Sequence, residues 1–117
     1  MSEGGKPVHY LAGPYRGNVR ANIREAERWA VECAKHGLFF FCPHMNSAFI
    51  DHEAPEEFWF ALDNAVLLRC DIVLLLPGWQ KSAGAKAEFA LAEAHDIPVY
   101  EIEEYLSDCC EVIYEVR

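Results

Sequence analysis

Four short, largely apolar runs do not alternate with polar residues, and they set the limits on this fold. They lie at 8–12, 38–42, 72–76 and 97–102. A strand buried on one face alternates in character, whereas a continuous apolar run is buried on both. Between the runs the period changes to that of a helix. Residues 19–36 place Ile23, Ala26, Ala30 and Cys33 on one face, with Arg20, Arg24, Glu25 and Arg28 mostly elsewhere. Further helical stretches run from about Pro55 to Arg69 and from Ser82 to about His95. Gly13-Pro14, Gly37 and Pro43-His44 supply the stops, and 45–54 reads as a loop. Strands alternating with helices predict an α/β fold with right-handed crossovers. The expected architecture is a small doubly wound, flavodoxin- or Rossmann-like parallel sheet of four to five strands with helices on both faces. The fifth strand would come from 111–116, after a short helix in the tail.

The 117 residues suffice for one domain, 1–117, with 1–7 expected as a flexible start. A formal net charge of −9 argues against a broad basic surface for a nucleic-acid polymer or an anionic membrane. It leaves room for one small phosphate held locally. No apolar run approaches the ~20 residues of a membrane span, and 1–6 has no signal-peptide core. Cys33, Cys42, Cys70, Cys109 and Cys110 form no Cys-x-x-Cys pair, as expected of reduced thiols in a cytoplasmic protein.

In a doubly wound sheet ligands bind beyond the carboxyl ends of the strands. Three segments should converge there: 13–18, 43–47 and 77–82. In the third, a small-residue turn leads into an alanine-rich helix, and Gly84 precedes Glu88 by one turn. Side chains lean toward a helix N-terminus, so Glu88 leans over a residue with no side chain. Ser82 reads as the N-cap of that helix, and its hydroxyl and the free amides beside it suit an anion. Asp63 shares a helix column with Phe60 and Leu67, where apolar neighbours can raise a carboxyl pKa and make it an acid. A solvated helix-face aspartate is the alternative. Asp71 reads as ordering the start of its strand. Arg16 is the cation of the first turn, with a fork suited to phosphate. Tyr10 is a core aromatic whose hydroxyl needs a partner, and a carboxylate is one such partner. Gly13, Asn18, His44, Gly78 and Trp79 complete the expected lining. His44, Asn46, Asp51 and His52 read as turn formers and lining rather than a metal site, so no metal and no cofactor are expected.

Together, Tyr10-Leu11-Ala12-Gly13-Pro14, Asp63 with Asp71 eight residues on, Gly78-Trp79 and Ser82-x-Gly84-x-x-x-Glu88 resemble the nucleoside 2-deoxyribosyltransferase-like superfamily. The resemblance spans roughly 8–102. It is strongest to short uncharacterised members and to nucleoside 5′-monophosphate N-hydrolases. It implies that Glu88 attacks or stabilises the anomeric carbon C1′, that Asp63 handles the departing base, and that Tyr10 orients the glutamate. Ser82, where the transferases carry an aspartate, and Arg16 imply a 5′-phosphate. The implied reaction is hydrolysis of the N-glycosidic bond of a (deoxy)nucleoside 5′-monophosphate. A nucleoside 2-deoxyribosyltransferase and a non-catalytic nucleotide-binding or sensing module are the alternatives. The first loop lacks the family's serine, and 45–53 has no counterpart. The expected partners are a small nucleotide or nucleoside and a second copy of the chain, in a homodimer or higher even assembly. The helix after Ser82, apolar around most of its circumference, fits a subunit face.

Overall fold

A computed structural model describes residues 5–108. Four parallel strands, β1 (Val8–Ala12), β2 (Phe39–Phe41), β3 (Ile72–Leu75) and β4 (Val99–Glu101), form one sheet in the order β2-β1-β3-β4. The helices are α1 (Val19–Lys35), α2 (Pro43–Ser47), α3 (Glu56–Leu67), α4 (Ala83–Ala94) and α5 (Ile102–Asp108). Alternate residues of the central strands feed two cores. Leu11 and Leu74 pack with Ala26, Trp29 and Ile102, from α1 and α5. Tyr10, Ala12, Val73 and Leu75 pack with Leu67 of α3 and Ala92 of α4. Both faces of the sheet are therefore covered, as continuous apolar strands require. The expected α/β doubly wound class stands, with four strands among the described residues; 111–116 lies outside them.

Chain reversals explain where the elements begin and end. Asn18 Oδ1 accepts from the Ala21 amide, and Ser82 Oγ from the Ala85 amide, so each side chain caps the helix that follows it. The run at 97–102 yields only three strand residues. Ile97 N is spent closing α4 on Ala92 O past a left-handed Asp96, and Ile102 already begins α5. Leu38 N closes α1 on Cys33 O in the same way. Residues 45–54 are more ordered than a loop. Pro43, pre-set for a first helical turn, opens α2, and a 3₁₀ turn follows at Asp51–Glu53. Asp71 orders its junction as expected, with Oδ2 accepting from the Val8 amide at 2.8 Å.

Two close approaches fix the carboxyl ends of β1 and β3. A Cβ on Gly13 would stand 2.7 Å from Leu76 Cβ, so only glycine lets these strand ends lie side by side. Gly78 takes φ 89°, turning the chain into the 3₁₀ turn Trp79–Lys81. On α4, Ala85 and Ala92 are buried, while Ala83, Ala87, Ala90 and Ala94 form an exposed stripe. No helix among the described residues is long and apolar enough to cross a membrane.

Candidate active site

A cleft of about 1000 Å³ opens beyond the carboxyl ends of β1 and β3. This is where the strand order departs to either side, the expected ligand position for such a sheet. Tyr10 lies beneath it in β1 with 0% of its surface exposed, and its hydroxyl donates to Glu88 Oε2 at 2.6 Å. Glu88 comes from α4, and Asp63 from α3. Both line the cleft. A Cβ built on Gly84 would meet nothing nearer than Ser82 Oγ at 4.0 Å, so the space over the carboxylate is open.

The electrostatics follow from burial. Glu88 is pushed up to about 7, first by loss of water, with the nearby Asp63 charge adding to the rise and the Tyr10 hydroxyl opposing it. Asp63 is pushed up to about 6 by burial. Tyr10 is raised by burial, then by the charges of Glu88 and Asp63, and stays a hydrogen-bond donor. Two neighbouring carboxyls thus titrate close to neutrality, where one proton can be passed to a leaving group and one negative charge kept. Groups so coupled titrate as a pair.

The outer wall is built from polar ties. Tyr15 OH donates to Asp51 Oδ2 at 2.6 Å, and Trp59 Nε1 donates to the Asp51 carbonyl at 2.7 Å. Asn22 Nδ2 donates to the carbonyls of Tyr15 and Arg16. His44 Nε2 donates to the Pro14 carbonyl at 2.6 Å. Its Nδ1 therefore keeps the lone pair, and it is buried without a partner among the described residues. Burial holds His44 below its ordinary pKa and so neutral. Arg16 lines the cleft but is not free, because Nε donates to Glu56 Oε2 at 2.8 Å and Nη2 donates to the same oxygen.

Of the residues expected in the lining, Gly13, Arg16, His44, Gly78, Ser82 and Gly84 are in the walls. Asn18 and Trp79 are not. Asn18 is used up capping α1, while Trp79 packs edge-on against Phe89 and reaches toward Glu101. Lys81, from the expected segment 77–82, adds a second cation to the walls beside Arg16. Asp51, read as a turn former or lining residue, is in the walls too, and with it stands Glu56, which was not expected there.

The fold and site define a class: a small parallel α/β domain with paired carboxyls over a tyrosine, in a cleft at the strand ends. Within that class the chain belongs to the family described as Domain of unknown function (DUF4406), whose model matches residues 7–101. No curated protein matches the chain. Among the solved structures that share the fold, two are described. A conserved protein from Enterococcus faecalis V583 is 24% identical, with a TM-score of 0.65 over 81% of this chain; the chain spans 62% of that protein's length. A 2-deoxyribosyltransferase from the psychrotolerant bacterium Bacillus psychrosaccharolyticus is 14% identical. Its TM-score is also 0.65, over 92% of this chain and 99% of that one.

Proposed function

We propose that the protein cleaves N-glycosidic bonds of nucleosides or nucleotides, with hydrolysis of a (deoxy)nucleoside 5′-monophosphate as the reaction. The single observation that carries this reading is the Tyr10–Glu88 hydrogen bond, with Asp63 facing the same cleft. As the C1′–N bond breaks, positive charge grows on the sugar and negative charge on the base. Glu88, ionised, stabilises or traps C1′, and Tyr10 holds its carboxylate in place. Asp63 gives its proton to the departing base. Water then supplies hydroxide to C1′ and a proton to Asp63, so nucleotide plus water becomes base plus sugar phosphate. No cofactor takes part in these steps.

A second reading is favoured by a specific observation. Arg16 is occupied by Glu56, which leaves the cleft less prepared for phosphate, and the transferase of like fold is described in connection with nucleoside synthesis. On that reading a second base, rather than water, accepts the sugar. One experiment separates the two. Nucleosides and their 5′-monophosphates are incubated with and without a second free base, and the products are separated by chromatography. Free base with no new nucleoside supports hydrolysis, and a new nucleoside supports transfer. The absence of both, with binding retained, would remove catalysis and leave a nucleotide-binding module.

The same reading includes self-association. The alanine stripe of α4, the exposed Phe60 of α3 and the exposed Leu68 just after it offer apolar surface that suits a second copy of the chain. Light scattering should give an even multiple of the chain mass, and a monomer at all concentrations would count against it.

A further inference from the structure

The two cations of the cleft are held differently. Among the described residues Lys81 makes no ion pair, whereas Arg16 is bound by Glu56. The backbone of Arg16 is fixed by Asn22, which donates to its carbonyl and to that of Tyr15 at 3.0 Å each. The guanidinium also lies 5.5 Å from the centre of the Tyr15 ring, which is itself tied to Asp51. Glu56 stands in the first turn of α3, its side chain 48% exposed against 64% for that of Arg16, and it uses one oxygen for both donors. A phosphate offers two oxygens to the same fork and a greater charge, so it is the better partner.

We propose that Glu56 is a specificity-determining residue: it occupies the place on Arg16 that a substrate's phosphate would take, and so sets how strongly the cleft favours phosphorylated over unphosphorylated nucleosides. The ligand's identity rests on the reading above, but the competition between carboxylate and phosphate does not. With Glu56 in place, a phosphate must displace it and then tolerate its charge nearby. With a neutral amide there, Arg16 is open.

The test follows the Arg16 Nε–H resonance by NMR while inorganic phosphate is added to the wild-type protein, Glu56→Gln, Glu57→Gln and Arg16→Gln/Glu56→Gln. An exposed ion pair is weak, so its removal should tighten phosphate binding about two- to five-fold in Glu56→Gln. Glu57→Gln removes the same charge one residue on, outside the cleft walls, and should change affinity less. In the double variant, phosphate binding followed by calorimetry should show no gain. In turnover, the ratio of KM for a nucleoside 5′-monophosphate to KM for the matching nucleoside should fall by the same factor in Glu56→Gln. Equal phosphate affinity in wild type and Glu56→Gln, an equal gain in Glu57→Gln, or a gain that survives loss of Arg16 would overturn the proposal. Phosphate binding is read without turnover. A protein that releases no base but shows the predicted gain therefore loses the catalytic reading and keeps this one, and the reverse outcome does the opposite.

Discussion

The cleft contains two tyrosine–carboxylate hydrogen bonds of the same length, 2.6 Å, in two different settings. Tyr10 to Glu88 lies at the floor, where Tyr10 is fully buried; Tyr15 to Asp51 lies at the rim, near solvent. At the floor burial raises the carboxyl of Glu88 to about 7 and that of Asp63 to about 6. At the rim the tyrosine is raised to about 12, and its bond ties one loop to another. The chemistry therefore comes from dehydration and charge crowding rather than from the hydrogen bond itself. The floor should carry the reaction and the rim should govern access and selectivity.

The most severe break of this comparison is loss of the floor carboxylate. Glu88→Gln should lower kcat by roughly 10³-fold or more while the circular dichroism spectrum is retained. The same variant also tests the raised pKa through stability. Because folding raises the pKa of Glu88, its contribution is fully present below the unfolded value of 4.5 and is lost as pH rises through about 7. Denaturant titrations at pH 4 and pH 8 should show Glu88→Gln keeping on the order of 2–3 kcal/mol that the wild type loses between them.

Asp63→Asn comes next, at roughly 10²-fold or more in kcat for bases that need a proton to leave, with one limb of the pH–rate profile removed. In the wild type that profile should be a narrow bell with limbs near 6 and 7.

Tyr10→Phe should cost about ten- to hundredfold, since a hydrogen bond to a charged group contributes about 1.5–3 kcal/mol. It should also move the Glu88 limb to higher pH, because the hydroxyl is the group that holds this carboxyl down. Tyr15→Phe should be mildest, with KM changed, kcat nearly so, and stability reduced by about 1 kcal/mol or less. A loss in Tyr15→Phe as large as in Tyr10→Phe would erase the distinction between floor and rim.

The floor was legible in the sequence because its signals are local. The continuous apolar runs fixed the parallel sheet, and the strand ends fixed where a ligand lies. The Gly84-to-Glu88 spacing aimed a carboxylate at open space. The rim was not legible, because no local pattern marks the residues its bonds join: His44 to Pro14, Tyr15 to Asp51 and Arg16 to Glu56. Nothing near Arg16 in the chain announces Glu56. Local chemistry misled in two places, at Asn18 and Trp79, where polar and aromatic residues beside a strand end serve capping and packing instead. Residues 43–47 read as turn because Pro43 signals both a stop and a helix start, and here it begins α2.

Whether the surroundings hold the floor carboxyls near neutrality is read from a carbon-13 NMR titration of the Glu88 carboxyl in the ligand-free protein, with Asp63→Asn alongside. The midpoint should lie near 7 in the wild type and move downward once the Asp63 charge is removed. A midpoint at the ordinary value of about 4.5, unchanged by Asp63→Asn, would show that they are not so held.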